Sequence, residues 1–243
     1  MYPIVMTSSF SGNVGKTSIT KNLLVPNLKN AKIFAVEDVN AGYNQGEAVQ
    51  LSAAETTSIL EQVLATAMDQ PVLVDVGASN VSNFFSAFAS YDGMHEFISK
   101  VIVPAEPSDK VQTDTISTLR YLIDELGFDP SKIVLLLNKV PTKRTAEAVY
   151  GNMIAEAESL GVLVYGEIPE SETFALAASM KKSIYELAAM DPKQLLAESQ
   201  SVKALGQDPK AGVRNMLAAA SAKKLKVRLD EIYAALGIAE GDE

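Results

Sequence analysis

The chain has 243 residues, a formal net charge of −9 at pH 7, no cysteine and a single histidine, His95. This length is enough to bury a sizeable core without disulfides, and the missing cysteine excludes disulfide frameworks, cysteine zinc sites, iron–sulfur clusters and thiol nucleophiles. One histidine leaves little room for a His-based metal site or a Ser-His triad. The longest aliphatic run, Ile133–Leu137, is far shorter than a membrane span, and the first residues carry no signal-peptide pattern, so we expect a cytoplasmic protein.

Short apolar runs alternate with amphipathic helical stretches along the chain. The runs predict six strands: Ile4–Thr7, Lys32–Val36, Pro71–Asp75, Lys100–Pro104, Lys132–Leu137 and Val162–Tyr165. They are hydrophobic almost throughout, which is typical of strands that are buried on both faces. The sequence therefore predicts an α/β fold, with a mostly parallel, doubly wound sheet flanked by helices and a helical C-terminal extension. We divide it into a domain of residues 1–190 and an extension, residues 191–243, packed on the same domain.

A loop of small residues follows the first predicted strand, and a helix follows the loop. Its residues are Ser8-Ser9-Phe10-Ser11-Gly12-Asn13-Val14-Gly15-Lys16-Thr17-Ser18. A loop of this kind aims consecutive backbone N–H groups at one point and forms an anion site for phosphates. Within Gly-Lys-Thr, Lys16 would neutralise the β- and γ-phosphates and the Thr17 hydroxyl would hold Mg²⁺. An ordinary glycine-rich turn is the alternative, because Phe10 stands where the strict P-loop pattern has glycine.

The segment from Ser11 to Thr17 resembles the deviant Walker A loop of ParA/MinD-type P-loop ATPases, whose usual form is Lys-Gly-Gly-x-Gly-Lys-Thr. With Phe10 included, it is most similar to the StbB plasmid stability proteins of conjugative plasmids. The resemblance runs from about residue 3 to residue 190. It implies ATP and Mg²⁺ as cofactors, and nucleotide contacts from Ser11, Gly12, Asn13, Val14, Gly15, Lys16, Thr17 and Ser18.

Two residues of the loop depart from the family pattern. Ser11 stands where the family has its signature lysine, which in relatives reaches across a nucleotide-sandwich dimer to the partner's phosphates. Without that cation, hydrolysis is expected to be slow or to need a partner, unless another residue supplies the charge. The candidates for that substitute charge are Lys110, Lys143 and Arg144. Asn13 replaces a family glycine, which is a mild change because asparagine tolerates left-handed backbone.

Carboxylates follow two other predicted strands. Asp75 ends the third strand and Gly77 comes two residues later, the arrangement of Walker B and switch II in P-loop proteins. Asp75 would bind Mg²⁺ with Thr17, and the Gly77 amide would sense the γ-phosphate. After the second strand, where relatives carry acidic residues that orient the attacking water, the resemblance implies this role for Asp38, with Glu37 as second choice. The alternatives are a turn residue at 75 and an exposed acidic turn at 37–38. The predicted catalytic residues are Lys16, Asp38 and Asp75.

Two residues are expected to contact the base. Asn138 follows the fifth predicted strand and resembles the asparagine that contacts the purine edge in this superfamily. A guanine-reading Asn-Lys-x-Asp motif would need aspartate at position 141; Pro141 stands there, which favours ATP over GTP. Pro169 resembles the proline of the family's Ile-Pro segment, whose backbone lies near the adenine. A proline that only initiates a helix is the alternative.

The negative net charge conceals a basic segment. Residues 203–228 carry seven lysines and arginines against one aspartate, a local charge of +6, so the rest of the chain sums to −15. A helical stripe of apolar residues leaves four cations mostly on the other face, namely Lys223, Lys224, Lys226 and Arg228. Three interpretations stay open: a core-packed helix with a solvated basic face, non-specific DNA binding, and a MinD-like membrane-surface helix. Asp230 and Glu231 weaken the third, so membrane contact is not expected.

Together, the resemblance implies a ParA/MinD-like ATPase of plasmid stability, segregation or positioning, StbB-like and with a role in conjugation. It implies a nucleotide-dependent homodimer and a plasmid-encoded DNA-binding partner protein. Two alternatives remain open: a nucleotide-binding switch with negligible turnover, and a metabolic P-loop enzyme such as a dethiobiotin-synthetase-like ligase. The metal-insertion branch of the superfamily is excluded, because its cysteine pair is absent.

Overall fold

One parallel sheet forms the centre of the protein. The computed structural model describes residues 1–37, 42–43, 46–51 and 56–238. Its strands are β1 (Ile4–Thr7), β2 (Lys32–Val36), β3 (Val49–Leu51), β4 (Val72–Val76), β5 (Lys100–Ala105), β6 (Ile133–Val140) and β7 (Leu163–Pro169). They are arranged in the order β3-β2-β4-β1-β5-β6-β7, and every pairing is parallel. The predicted α/β fold with a mostly parallel, doubly wound sheet is confirmed.

Helices connect the strands and form the C-terminal part. They are α1 (Lys16–Ile19), α2 (Thr56–Thr66), α3 (Val81–Ala89), α4 (Met94–Phe97), α5 (Asp109–Arg120), α6 (Ala146–Ser159), α7 (Glu172–Ser179), α8 (Ile184–Ala189), α9 (Pro192–Ala204) and α10 (Lys210–Leu236). Single π-helical segments extend α1 through Leu24 and α5 through Glu125. The predicted helical C-terminal segment is therefore present. No helix in the described ranges has the length and apolar character needed to cross a membrane.

The strands differ from the sequence prediction most at β3, β6 and β7, and the bounds of β4 and β5 differ by one residue. Strand β3 was not predicted, because three residues, Val-Gln-Leu, are too few to form a periodic pattern. Strands β6 and β7 are longer than predicted, because their pairing continues past register shifts between Leu136 and Val140. Asn138 and Pro169 therefore lie inside the ends of β6 and β7 rather than in the loops after them.

The chain divides into two compact units. The first comprises Met1–Glu170 with Ile232–Glu243 and contains the sheet; the second comprises Ser171–Glu231. Within the second unit, the Tyr185 hydroxyl donates to Asp230 at 2.5 Å. The division predicted after residue 190, with an extension packed on the same domain, stays a prediction.

The strand order places a crevice at the carboxyl end of β1. After β1 the chain builds one side of the sheet with β2 to β4, and then builds the other side with β5 to β7. Connections that leave a central strand in opposite directions open a crevice at the carboxyl end of that strand. The register aligns Thr7 with Asp75 and Val36 with Val76. The segments after β1, β2 and β4 therefore meet at one edge of the sheet.

Candidate nucleotide-binding site

The loop between β1 and α1 wraps around the side chain of Lys16. The Lys16 Nζ donates to the Ser11 carbonyl at 2.7 Å and lies 3.4 Å from the Ser9 carbonyl. Gly15, immediately before α1, has a φ of 91°, and a Cβ there would lie 2.3 Å from the Asn138 Nδ2. Glycine is therefore required at position 15 both by the backbone conformation and by the approach of Asn138.

Phe10, the residue that departs from the strict P-loop pattern, belongs to the core. Its ring packs edge-on against Phe85 and Tyr121, with centroid distances of 6.0 and 5.6 Å. Its backbone N–H donates to the Thr118 hydroxyl at 3.1 Å. The side chain therefore anchors the start of the loop instead of entering the site.

The charge of Lys16 lies in a poorly solvated position. Its side chain is buried, and it forms no ion pair with any residue in the described part of the chain. Burial lowers the pKa of Lys16 from its ordinary value, although the charges of Asp75 and Glu37 act in the opposite direction. A buried ammonium without a bonded carboxylate is stabilised by a bound anion.

Asp75 accepts two hydroxyl hydrogen bonds near the end of β4. The Thr17 hydroxyl donates to its Oδ2 at 2.7 Å, and the Tyr43 hydroxyl donates to the same oxygen at 2.9 Å. Burial raises the pKa of Asp75 above its ordinary value, while these two hydrogen bonds and the charge of Lys16 oppose the rise. Burial and the neighbouring carboxylate raise the pKa of Tyr43, so its hydroxyl keeps its proton and acts as the donor.

A cavity of about 430 Å³ opens beside these groups. The described residues that line it are Gly12, Asn13, Gly15, Lys16, Thr17, Ser18, Glu37, Gly42, Gly77, Ala78 and Ser79. The fold thus brings together the loop residues and Gly77, which are far apart in the sequence. The side chain of Glu37 covers Gly77, because a Cβ at Gly77 would lie 3.0 Å from its Cγ. Asp38, the other acidic candidate, lies outside the described residues.

Other predicted residues lie around the cavity rather than in its described lining. Val14 is fully buried, and Asn138 donates from its Nδ2 to the Val14 carbonyl at 2.9 Å. Pro169 lies at the end of β7, paired with Val140. The roles of Asn138 and Pro169 in base binding stay predictions.

Ser11 makes its side-chain contact within the same chain. Its hydroxyl donates to the Asp114 Oδ2 at 2.6 Å. The substitute cations considered from the sequence, Lys110, Lys143 and Arg144, are exposed and are not among the described residues that line the cavity. Among the described residues, the cavity therefore has Lys16 as its lining cation.

Three residues next to the loop and to Asp75 were not predicted from the sequence. Tyr43 contacts Asp75, and Asp114 contacts Ser11. Lys139 donates to the Asn13 carbonyl at 3.0 Å. Only Lys139 had a signal in the sequence, because it directly follows Asn138 in the Asn-Lys segment.

A second cavity, of about 360 Å³, lies beside α6 and β7, but its chemistry does not suit phosphate. Its lining includes the carboxylates Glu147, Glu158 and Glu167, and no lysine or arginine is among its described lining residues. An acidic lining repels phosphate oxygens. The cavity at the loop is therefore the candidate nucleotide site.

The groups around the first cavity suit a nucleotide phosphate with Mg²⁺. Loop N–H groups and the Lys16 ammonium are ligands for phosphate oxygens. The Thr17 hydroxyl oxygen and the Asp75 Oδ2, which lie 2.7 Å apart, are oxygen ligands of the kind that Mg²⁺ binds. In the described ranges, no group of three or more acidic or histidine side chains is arranged so that it could hold a metal ion by itself. A site of this composition suits a cation that keeps several waters and takes one or two protein ligands plus phosphate oxygens.

The sequence matches no protein-family profile, and it has no match among curated proteins. Solved structures, in contrast, match over nearly the whole chain. A substituted McdA from Cyanothece in complex with ATP matches with a TM-score of 0.59 and 13% identity, over 100% of this chain and 99% of that chain. The cell division ATPase MinD of Pyrococcus furiosus matches with a TM-score of 0.52 and 14% identity, over 92% and 99%.

This chain has the ParA/MinD-type P-loop NTPase fold. A protein from Borrelia burgdorferi assigned to plasmid partition, bound to AMPPNP, shows the same similarity, with a TM-score of 0.50 and 13% identity over 92% of this chain and 100% of that one. At these identities the likeness concerns the ParA/MinD-type fold alone.

Proposed function

We propose that this chain binds ATP with Mg²⁺ and hydrolyses ATP slowly, as a ParA/MinD-like protein of plasmid stability, segregation or positioning. The observation that carries the proposal is the buried Lys16 ammonium, which lines a cavity of loop glycines and has no carboxylate partner among the described residues. Such a cation favours the binding of a polyanion. The Gly-Lys-Thr segment and the Thr17–Asp75 hydrogen bond support a nucleotide phosphate as that polyanion.

The chain's own residues have distinct roles in this proposal. Lys16 and the N–H groups of residues 12–18 bind the phosphate oxygens, and Thr17 with Asp75 holds the metal. Asp38, or Glu37 in its place, orients the attacking water, and the Gly77 amide contacts the γ-phosphate. When bound, Mg²⁺ neutralises phosphate charge and stabilises the leaving oxygens.

Asn138 and Pro169 are proposed to contact adenine. The Asn138 Nδ2 donates one of its two hydrogens to the Val14 carbonyl, which leaves its second N–H and its Oδ1 for a base. The Oδ1 can accept from the exocyclic amino group of adenine, and the second N–H can donate to a purine acceptor. Pro141 supports ATP over GTP, because it lacks the carboxylate that would accept from the N–H donors of guanine.

A nucleotide switch with negligible turnover is the second candidate function. It is favoured by the hydrogen bond from the Ser11 hydroxyl to Asp114 of the same chain. The position of the signature lysine therefore carries a neutral side chain that is bonded to a carboxylate. Without a cation at that position, charge that develops on the phosphates is less stabilised. Both candidates share the nucleotide site and differ in turnover.

Nucleotide titration and phosphate release test this proposal. We expect ATP to bind more tightly than GTP, and Mg²⁺ to strengthen ATP binding. Phosphate release should be slow for the chain alone and faster with duplex DNA or a plasmid-encoded DNA-binding partner protein. Tight ATP binding with no release under any condition would select the switch. Tighter binding of GTP would contradict the base assignment, and no nucleotide binding would contradict the whole proposal.

The biological setting is proposed on the resemblance of the loop to StbB proteins. In that setting the nucleotide state would control homodimer formation and contact with a plasmid-encoded DNA-binding protein, with an effect on conjugation. Ion pairs within α10 reduce the number of basic side chains that are available for DNA contact. Lys226 pairs with Asp230 at 2.6 Å and Arg228 pairs with Glu231 at 3.2 Å.

Of the four cations predicted on the basic face, Lys223 and Lys224 are the best placed for non-specific DNA contact. Both are exposed, and neither forms an ion pair with a described residue. An unpaired surface cation releases a condensed counterion when it meets a DNA phosphate, whereas a paired cation must first give up its partner.

Salt-dependent DNA binding tests these two lysines. In Lys223→Ala/Lys224→Ala, the slope of log K against log salt for duplex DNA should become shallower by about 2, since each phosphate contact contributes about 0.9. Lys182→Ala/Lys193→Ala, with two exposed lysines outside the segment, is the matched control. The measurement is made with and without ATP, and against anionic liposomes. Equal slopes for the two double variants on DNA, together with no salt-sensitive binding to liposomes, would leave only the solvated basic face.

A further inference from the structure

Two strained backbone positions meet at the loop. Asn13, with φ of 58°, and Lys139, with φ of 54°, are both in the left-handed region, and the Lys139 Nζ donates to the Asn13 carbonyl at 3.0 Å. Asparagine adopts this region readily, but lysine does so at a cost. Lys181, with φ of 52°, is the second residue after α7, and a left-handed residue at this position is common at the end of a helix. Lys139 is near the end of a strand, where no such reason applies.

The surroundings of Lys139 hold its side chain in place. Lys139 forms an ion pair with Glu106, which comes directly after β5. The register aligns Ala105 with Leu137, so the two strand ends bring Glu106 beside Lys139. Lys139 lies within the second register shift between β6 and β7, between the paired residues Leu137 and Val140, and irregularities of this kind redirect a side chain.

Lys139 and Asn138 hold two consecutive carbonyls of the loop. Lys139 contacts the Asn13 carbonyl, and the Asn138 Nδ2 contacts the Val14 carbonyl at 2.9 Å. In a trans peptide, the C=O and the N–H of the same unit point in opposite directions, and no described peptide bond is cis. Carbonyls fixed toward β6 therefore aim the N–H groups of Val14 and Gly15 away from β6.

We propose that Lys139 is a positioning residue whose ammonium, held by Glu106, fixes the Asn13 carbonyl and thereby aims the loop N–H groups at the nucleotide phosphates. The inference rests on the proposed function. In this chain Ser11 stands where the family has its signature lysine. The inference gives the ordering of the loop to another cation of the same chain, Lys139. Pre-ordered donors bind phosphate with a smaller loss of conformational entropy, so Lys139 acts on nucleotide affinity through the loop.

The test compares three substitutions of Lys139. Lys139→Ala is expected to weaken ATP binding about 10-fold, with KM rising and kcat changing by less than about 3-fold, as for the loss of a charge-assisted hydrogen bond in a binding site. Lys139→Arg should keep affinity within about 3-fold, since it retains a cationic donor. Lys139→Asn accepts the left-handed backbone without the ammonium, so it should bind ATP as weakly as Lys139→Ala while the nucleotide-free protein melts no lower than the wild type.

The control is Lys29→Ala, which removes an exposed lysine far from the proposed site contacts. Wild-type affinity in Lys139→Ala, or recovered affinity in Lys139→Asn, would overturn the inference, because the ammonium would then not be needed. A lowered melting temperature with unchanged ATP affinity would also overturn it. If the wild type binds ATP and Lys16→Ala does not, these outcomes leave the proposed function intact. Wild-type protein that binds no nucleotide would overturn the proposed function itself.

Discussion

Lys16→Ala is expected to weaken ATP binding at least about 100-fold, or about 3 kcal/mol. Its Nζ lies among loop carbonyls in the wall of the cavity, in a position where burial lowers the pKa of the ammonium. A bound phosphate would replace missing solvation there, so removal of the ammonium removes a desolvated ionic contact. Titration with ATP measures the change directly.

A control variant and circular dichroism distinguish loss of ATP binding at the site from loss of the fold. Lys29→Ala, which removes an exposed lysine from the turn after α1, is the matched control and should bind ATP like the wild type. Lys16 is the first residue of α1, where alanine is a good helix former, so circular dichroism should show an unchanged fold. A Lys16→Ala protein with normal ATP affinity would contradict the assignment of the site.

Asp75→Asn is expected to reduce Mg²⁺-dependent ATP hydrolysis by roughly 100-fold or more, the usual scale for loss of one preorganised electrostatic group. The asparagine oxygen can still accept from Thr17 and Tyr43, so the hydrogen bonds of the site persist while the charge is lost. Measured separately from turnover, the stabilisation of the ATP-bound protein by Mg²⁺ should also decline. Asp69→Asn, at an exposed aspartate just before β4, is the control.

The same substitution should stabilise the nucleotide-free protein at neutral pH. Burial raises the pKa of Asp75 in the folded state above its unfolded value, so the folded state binds the proton more tightly. The ionised carboxylate therefore costs stability above this raised pKa, and the cost disappears as pH falls through it toward the unfolded value. Thermal melts against pH should show Asp75→Asn above the wild type at pH 7, with the gap closing in acid. A lower melting temperature of the variant at every pH would contradict this assignment.

The sheet could be predicted because its strands are buried on both faces. A run such as Ile133–Leu137 has no polar face, and its flanking turn and helix signals define it in the sequence. The ends of β6 and β7 could not be predicted, because their last residues are held by pairing between the two strands across register shifts. Strand β3 depends in the same way on its partner β2.

The loop after β1 was also accessible from sequence, because the backbone of a phosphate loop needs glycines at fixed spacing before a lysine. The structure gives Gly15 both a left-handed backbone and no space for a Cβ. The packing of Phe10 against Phe85 and Tyr121 had no such local signal.

The sequence by itself determined the fold class and the order of six of the seven strands, and it predicted the residues of a phosphate loop, because burial period and backbone conformation are local requirements. Only the tertiary structure decided what braces that loop and Asp75. Tyr43 reaches Asp75 across 32 residues, and Lys139 reaches Asn13 across 126. Contacts of this kind follow from the strand order and register, which bring the segments after parallel strands to one edge of the sheet regardless of their separation in the chain.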